Sequence, residues 1–438
     1  MMLLSRGYKV SVYESREHPS NTTVGARAFS LGLNIRGQKA LKYFQTRAPG
    51  LWEDIKRNGL GIDAFHIHIG SKELKIRKPK FPNTYDAVVT WEDTPPPTLM
   101  IPRNKLCESM LGNLEKHHKK SGNFRIKFSS KLDSVDLEHK VCRFECGESA
   151  SYDLLVGADG VQSAVRKAMV KGDDSMISEE VILPGKYVVL NEDVKRDCLL
   201  QSGSVHAMEN SNADYGLFVI PRIGGSCTLL TWKDDTPPNL IRNISANAFT
   251  GEDKSMLLDY AKVSLTKAYP KFGTPTNESL QQLFKQRPSE ARTIRCNRYH
   301  SIEGCAVLVG DAAHSTGGTL GQGANSALLD VVELDKCLEE TEDSLSKAIS
   351  LYSKRQVPQG LALWSLLQIP NKLPFLFKMI YLLSQVIRGF ISRFLKFISP
   401  PTQILLSQTL TPFTDIVHRN KFWVGIALRG IKNIEYES

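Results

Sequence analysis

A buried strand that runs into a glycine-rich turn and a helix is the most constraining feature of this sequence. The apolar run CAVLV (305–309) ends in GDAAH, and the stretch GQGAN then opens a helix predicted over 324–339. Such a strand brings a carboxylate to its C-terminal end, and the glycines let backbone N–H groups approach a ligand at a helix N-terminus. This arrangement suits the phosphate, sugar or ring edge of a cofactor, whereas a structural turn needs fewer of these residues. The predicted ligand residues are Gly310, Asp311, Gly321, Gln322, Gly323, Ala324 and Asn325.

A second segment has the same order of strand, acidic residue, glycine and helix start. It reads DLLVGADGVQSAVR over residues 153–166, and its predicted ligand residues are Asp159 and Gly160. Ser163 and Arg166 lie one helical turn apart at the start of the helix that follows. Alone, this loop is only moderately specific. Together, the two segments predict a cofactor site at the ends of two strands.

The first fifteen residues have the pattern of the second half of a dinucleotide-binding βαβ unit. MMLLSR has the character of a helix end closed by Gly7, and GYKVSVYES (7–15) alternates like a strand and reaches an acidic residue at Glu14. In the complete unit a first strand and a G-x-G-x-x-G turn come about 20 residues before that acidic residue. The sequence therefore predicts a Rossmann-like domain that is incomplete at this N-terminus.

Charge and cysteine usage exclude other classes of protein. The formal net charge is +10, but segment 354–438, with eleven basic and three acidic residues, supplies most of it. A nucleic-acid-binding protein more often spreads basic residues over a folded face, so no nucleic-acid partner is expected. The eight cysteines are scattered, no histidine accompanies Cys142 and Cys146, and MMLLSRGYK is too short an apolar stretch for a signal peptide. We therefore expect a reducing, intracellular compartment and no metal ligands.

The two strand–turn–helix segments resemble, almost residue for residue, the motifs of the FAD-dependent aromatic hydroxylases. Within that family the likeness is greatest to the kynurenine 3-monooxygenases. It extends over VYESRE (12–17), RAFSLGLNIRGQKAL (27–41) and PRNKL (102–106), and more weakly to Pro358 and a tail ending in HRNKFW. The resemblance thus covers most of the chain, with gaps in the middle.

The resemblance implies roles for individual residues. Glu14, with Arg16 beside it, would bind the adenosine ribose, and Arg27 and Arg103 would contact the FAD as charge-assisted donors. Asp311 would hold the ribitol, and the stretch 321–325 would lie against the pyrimidine side of the isoalloxazine. No catalytic side chain is assigned, because the flavin carries the chemistry; His314 is interpreted as a turn residue and not as a base.

The sequence departs from the family pattern at three further places. The position four residues after His314 is normally proline and is Gly318 here. The stretch TPPPTLMIPR before the arginine motif lacks the tyrosine of family members that bind kynurenine. After Pro358, the stretch LALWSLLQIPN keeps only Trp364 as an aromatic residue. Gly318 predicts a looser loop beside the flavin, and the other two departures predict that kynurenine is not the best substrate.

The fold class expected is α/β, with a Rossmann-like FAD domain, a β-sheet substrate domain and a helical C-terminal tail. The FAD domain is predicted to combine 1–60, 101–175 and 290–355. The substrate domain is predicted to combine 61–100 and 176–289, and 356–438 forms the tail.

The function expected from the resemblance is a monooxygenase that consumes NADPH or NADH and O₂ and hydroxylates a small aromatic molecule. Two alternatives remain open. One is a catalytically silent flavoprotein-like fold, because the phosphate-binding turn is missing from the sequence as given. The other is a different flavin oxidoreductase, such as a reductase or an epoxidase.

The tail contains one strongly amphipathic segment, from Pro374 to Ser399. Leu, Ile and Phe fall on one helical stripe, and Lys378, Arg388, Arg393 and Lys396 fall on the opposite one. No apolar run reaches the ~18 residues of a spanning helix. The pattern predicts a helix lying on an anionic membrane surface, and the alternative is a helix packed in the core. The expected location is membrane-associated, at the mitochondrial outer membrane if the resemblance holds.

Overall fold

The computed structural model describes most of the chain. The described residues are 1–20, 29–62, 64–77, 96–192, 200, 203–233, 236–245, 251–392, 394–395, 398–432 and 434–436. Arg27, Arg393 and Lys396 lie outside them.

The first structural unit is built on two parallel strand pairs. β1 (Val10–Tyr13) pairs with β7 (Phe124–Lys127), and β11 (Leu155–Gly157) pairs with β17 (Ala306–Leu308). An antiparallel meander accompanies them, made of β8 (Leu132–Asp136), β9 (Val141–Phe144) and β10 (Ser149–Ser151). As predicted, a helix precedes β1 and ends at a glycine, because Gly7 has φ of +88°. The strand itself is shorter than the predicted 7–15.

Helices pack around these strands, with the most buried residues on β17. The helices are α1 (Met2–Ser5), α2 (Ile35–Tyr43), α3 (Leu51–Asn58), α4 (Arg103–His118), α5 (Ala164–Gly172), α9 (Asp311–His314), α10 (Gly323–Glu340) and α11 (Leu345–Lys372). Ala306, Val307 and Leu308 are fully buried among residues of α5, α10 and α11. The uniformly apolar run fits a parallel strand covered on both faces.

A seven-stranded sheet forms the second unit, in the order β16, β12, β15, β14, β13, β4, β5. Its strands are β4 (Ala64–Ile69), β5 (Lys72–Arg77), β12 (Ser178–Glu192), β13 (Ser204–Glu209), β14 (Gly216–Arg222), β15 (Gly225–Trp232) and β16 (Ser289–Cys296). All described neighbours are antiparallel except β13 and β4. The antiparallel sheet predicted from the alternation over 181–232 is thus part of a larger, mixed sheet.

The two faces of this sheet pack against different layers, because successive side chains in a strand point to opposite sides. Val188, Leu190 and Leu230 face a layer formed by α6 (Asn239–Ser245), α7 (Gly251–Ala268) and α8 (Asn277–Lys285). Val189 and Cys227 face the other way, toward a small sheet of β2 (Ser30–Leu33), β6 (Thr98–Pro102) and β3 (Leu60–Ile62).

The C-terminal region is helical, as expected. It contains α12 (Phe375–Ile391), α13 (Thr402–Gln408), α14 (Phe413–Arg419) and α15 (Lys421–Ala427). The buried guanidinium of Arg36, at the start of α2, donates to the carbonyl oxygens of Leu405, Leu406 and Thr411. These bonds attach the end of the chain to the first unit. Among the described residues, no single helix is long and apolar enough to cross a bilayer, and α11 and α12 meet those criteria only as a pair bent by 116°.

The structure shows which groups the polar stripe of α12 contacts. The guanidinium of Arg388 donates to the carbonyl oxygens of Ser399 and Pro400 and to Asn420 Oδ1. Gln385 on the same side accepts a hydrogen bond from the Thr402 N–H. The polar stripe therefore holds the following segment, and the apolar stripe, including Leu376, Leu383 and Phe390, is exposed. The hydrogen bonds of Arg388 and Gln385 to this segment set the orientation of α12, because carbonyl and N–H groups away from water need partners.

Candidate active site

The turn after β17 is held by one buried carboxylate. Asp330 Oδ2 accepts the Gly310 N–H at 2.8 Å and lies 2.7 Å from His314 Nε2. Gly310 has φ of +61°, and a Cβ atom there would lie 3.0 Å from the Ala327 side chain, so only glycine suits this position. Burial opposes the charged form of His314, but the charge and hydrogen bond of Asp330 outweigh it, so the pKa of His314 is raised. His314 thus fixes the turn, in agreement with its interpretation as a turn residue.

The glycine-rich loop between α9 and α10 connects the turn to the seven-stranded sheet. Thr316 pairs with Thr293 of β16, and a Cβ atom on Gly317 would lie 2.7 Å from the Leu183 side chain of β12. Gly318 and Gly321 both have positive φ, and nothing lies within 4 Å of where their Cβ atoms would be. Gly318 has φ of +78°, which proline cannot adopt and which glycine adopts without strain.

Asp311 lies at the start of α9 with its side chain exposed toward the start of α10. Its Oδ1 is 3.6 Å from where a Cβ atom of Gly323 would stand. No side-chain hydrogen bond caps the N-terminus of α10, which leaves backbone N–H groups of its first turn for a ligand. An open glycine loop, a free helix start and a carboxylate together suit a ligand with polyol and ring-amide groups. These residues therefore fit the flavin half of FAD.

Asn325 and Gln322, at the start of α10, form hydrogen bonds to the segment that leads into α2. Asn325 Oδ1 accepts the Asn34 N–H at 3.0 Å, and its Nδ2 donates to the carbonyl oxygen of Gly32 at 2.9 Å. Gln322 Oε1 accepts from Asn34 Nδ2 at 3.2 Å. A Cβ atom on Gly37 would lie 2.4 Å from Asn325 Oδ1, so α2 can approach only through a glycine. These bonds set where α10 begins.

The second motif caps α5 and reaches the first motif through one arginine. Asp159 Oδ2 accepts the N–H groups of Ala164 and Val165 at 2.7 and 3.2 Å, and Gly160 has φ of +78°. The buried Arg166 donates to the carbonyl oxygen of Ala312 at 2.8 Å and to that of Val161 at 2.6 Å. The two predicted segments are therefore in direct contact.

A third group of predicted residues surrounds Cys107 of α4. Glu14, Arg16 and Arg103 all lie close enough for their charges to act on the Cys107 thiol. Glu14 Oε1 accepts the N–H of Arg16 at 2.9 Å. The charge of Arg103 also acts on Tyr187 of β12, in the seven-stranded sheet. The structure thus brings three of the predicted nucleotide ligands together, and Arg27 lies outside the described residues.

Sequence reasoning missed Asn34 and Arg36 as parts of this framework. Asn34 Oδ1 accepts the Arg36 N–H and caps α2. An asparagine before the helical run IRGQKAL is a recognisable N-cap signal. No local pattern indicates that the same residue binds α10, almost three hundred residues away in sequence.

Comparisons with known proteins agree with this architecture. A family model described as an FAD binding domain matches residues 1–356. Kynurenine 3-monooxygenase from Legionella pneumophila (strain Lens) is 27% identical over 82% of this chain and 73% of its own length. The Caenorhabditis briggsae enzyme of the same name is 25% identical over 95% of this chain and 88% of its own length.

Solved structures show the same fold at lower identity. A variant of 2-methyl-3-hydroxypyridine-5-carboxylic acid oxygenase has a TM-score of 0.62 and 18% identity, over 95% of this chain and 93% of its own. A tetracycline destructase has a TM-score of 0.56 and 14% identity, over 87% of this chain and 89% of its own. With the open glycine loop and the linked motifs, these likenesses lead to one conclusion: this chain belongs to the FAD binding domain family, among its FAD-dependent aromatic monooxygenases.

Proposed function

We propose that this chain uses NADPH or NADH and O₂ to hydroxylate a small aromatic molecule held between the glycine loop and the seven-stranded sheet. The observation that carries this proposal is the contact of Thr316 and Gly317 with β16 and β12. Because the loop joins the α10 start to the sheet, a ring bound at that start lies beside the sheet. FAD, when bound, supplies the electron transfer and oxygen activation.

The chain's own residues orient FAD and the aromatic substrate. Asp311 accepts hydrogen bonds from ribitol hydroxyls, and the first N–H groups of α10 donate to the ring carbonyl groups. Glu14, Arg16 and Arg103 hold the adenosine and phosphate part. Asp159 and Gly160 shape the loop between the two parts, and the apolar side chains between the sheets keep water from the reacting ring.

The substrate we propose is an aromatic amine or phenol without an amino-acid side group. Supporting this, Thr98–Pro102 of β6 has no tyrosine, and the sheet face toward it carries Val189, Val205 and Ile220. An amino-acid carboxylate needs polar partners, and leaving it without them costs about 1–3 kcal/mol or more. Kynurenine is therefore expected to be a poorer substrate than 2-aminoacetophenone, which has the same aminophenyl ketone but no amino-acid group.

The test is substrate-dependent oxidation of NADPH and NADH by the full chain supplied with FAD. Product analysis under ¹⁸O₂ then shows whether labelled oxygen enters the ring. Labelled phenol from 2-aminoacetophenone, with little from kynurenine, agrees with the proposal. Bound FAD with nicotinamide oxidation but no labelled product would indicate a reductase, and a labelled epoxide would indicate an epoxidase. Failure to bind FAD would indicate the silent fold.

We also propose that α12 contacts a membrane surface, through its apolar face and not through a basic one. The side chains Phe375, Leu376, Leu383, Val386, Phe390 and Phe394 are between 60% and 81% exposed. Apolar exposure on this scale is typical of interaction surfaces. The contacts of Arg388 and Gln385 with the following segment support a lipid surface, since they remove these two polar groups from the exposed side, where Lys378 remains.

A further inference from the structure

Three buried histidines lie together on the seven-stranded sheet. His66 and His68 belong to β4, and His206 belongs to β13, directly beside His66 in the parallel register. All three are at most 4% exposed. Their ring centroids are 4.6 Å apart for His66 and His206, and 5.2 Å apart for His68 and His206. One nitrogen from each ring lies within 4.8 Å of the other two.

The cluster lies on the sheet face away from the candidate active site. Met208, two residues after His206 and thus on the same face, packs with Tyr269 and Phe272, in the turn between α7 and α8. Val205 and Phe65, the alternate neighbours, pack toward the small sheet of β2, β6 and β3. The histidines therefore form a site of their own.

The hydrogen bonds of the cluster leave nitrogen atoms without partners. His66 Nδ1 lies 2.6 Å from Glu73 Oε1, whereas its buried Nε2 has no hydrogen-bond partner. His68 Nε2 lies 3.0 Å from His206 Nδ1, and His68 Nδ1, which has no hydrogen-bond partner, lies 3.7 Å from Glu73 Oε2. A buried polar atom without a partner costs about 1–3 kcal/mol, so the unpartnered Nε2 of His66 is available for a ligand.

Glu73 gives His66 the arrangement of a metal ligand. A carboxylate that accepts the Nδ1 proton of a histidine fixes the ring and leaves the Nε2 lone pair free, as in many metal sites. Lys271 donates to the other oxygen of Glu73 at 2.8 Å, which holds the carboxylate in place. The cluster therefore offers histidine nitrogen lone pairs to a metal ion, and Glu73 is the carboxylate that orients His66.

We propose that His66, His68 and His206 bind one divalent transition-metal ion, with Zn²⁺ as the representative. Imidazole nitrogen suits Zn²⁺, Co²⁺, Ni²⁺ and Cu²⁺, whereas Mg²⁺ and Ca²⁺ prefer oxygen ligands. Zn–N bonds of about 2.0–2.1 Å place ligand nitrogens about 3.3 Å apart. The His68–His206 pair, with its nitrogens 3.0 Å apart, is already close to this spacing, and each of the three rings has one nitrogen within 4.8 Å of the others. The ion joins β4 to β13, the one parallel pair among the described strands of this sheet.

The test uses the full chain without a histidine tag, stripped with a chelator and then dialysed against Zn²⁺. Metal content after gel filtration is expected to be one Zn²⁺ per chain, with a Tm that rises by a few degrees as the logarithm of free Zn²⁺ increases. His68→Leu is expected to abolish the retained zinc. The matched control His139→Leu, on a histidine whose side chain is 71% exposed, is expected to keep it. Glu73→Gln is expected to bind Zn²⁺ about 10- to 100-fold more weakly.

Circular dichroism of each variant verifies the fold. A folded wild-type chain that retains no zinc overturns the proposal, and so does equal zinc content in a folded His68→Leu variant. If His68→Leu fails to fold, the Zn²⁺ affinity of Glu73→Gln is the deciding measurement. A Zn²⁺ affinity equal to that of the wild type overturns the proposal.

Discussion

Arg166 of α5 donates a 2.8 Å hydrogen bond to the carbonyl oxygen of Ala312 in α9, so one guanidinium joins the two cofactor motifs. The two residues are far apart in sequence, and each motif alone is an ordinary strand–turn–helix. Because Arg166 is buried and also binds Val161, neither turn can shift without leaving a buried carbonyl oxygen unpaired.

The first prediction concerns this link. Arg166→Met removes two donors and leaves their acceptors unsatisfied, so we expect a loss of about 2–4 kcal/mol in the free energy of unfolding and weaker FAD retention. Urea denaturation and the flavin-to-protein absorbance ratio measure the two effects. Arg125→Met, at an exposed position of β7, is the control and should change neither. Equal stability of both variants would contradict the linking role.

The second prediction concerns Asp311. Its side chain is exposed, so Asp311→Ala should leave the free energy of unfolding within about 0.5 kcal/mol of the wild type. Loss of a charge-assisted hydrogen bond should weaken FAD binding about 10- to 150-fold, as fluorescence titration can measure. Asp174→Ala, another exposed aspartate, should bind FAD as the wild type does. Unchanged affinity in Asp311→Ala would remove this residue from the site.

The third prediction concerns Gly318. Proline is usual at this position in the family that the sequence resembles, yet φ of +78° excludes it here. Gly318→Pro should lower the FAD content of the purified protein and destabilise the fold by about 1–3 kcal/mol. In Gly318→Ala the added Cβ atom has no neighbour within 4 Å, so only the positive φ should lower the free energy of unfolding, by about 1 kcal/mol. Full FAD content and unchanged Tm in the proline variant would show a different loop conformation.

The fourth prediction concerns the buried carboxylate of Asp335 in α10. Burial favours its neutral form, but hydrogen bonds from Arg6, Arg47 and Tyr43 outweigh this effect and lower its pKa. A lowered native pKa stabilises the fold above the unfolded value of about 3.9, and this stability is lost as pH falls through the native value.

Asp335→Asn should therefore cost about 2–3 kcal/mol at pH 7, and the difference from the wild type should shrink below about pH 4. Denaturant titrations at several pH values measure it. Asp343→Asn is the control, because that side chain is 47% exposed although it also binds Arg6. A cost for Asp335→Asn that is independent of pH would contradict an ionic origin.

The fifth prediction concerns α12. A variant with Leu376→Gln, Leu383→Gln and Phe390→Gln should lose flotation with phosphatidylcholine vesicles, since each buried apolar side chain contributes about 1.5–3 kcal/mol. Lys378→Gln should float like the wild type if the apolar face dominates. Flotation of the triple variant equal to that of the wild type would contradict the proposed membrane contact.

Local sequence was sufficient to predict the strand–turn–helix motifs. Gly310 and Gly160 have positive φ, Asp159 caps the helix beside it, and the apolar strand before the first turn is buried, so the information lies within about fifteen residues. The extent of α10 agrees with the sequence-based boundaries, 324–339, to within one residue. Residues close together in the sequence determine these turns and helix ends, because the energies of turn conformation and helix capping depend on local interactions.

Tertiary structure alone decided the features that depend on distant partners. Asn325 reaches Asn34 across the first unit, and the His66–His68–His206 cluster exists only because β4 and β13 pair. The orientation of α12 depends on the carbonyl oxygens of Ser399 and Pro400, which accept hydrogen bonds from Arg388. The amphipathic pattern specifies two faces but not which one meets the protein. Satisfaction of buried polar groups makes that choice, and it depends on which chain segments the fold brings together.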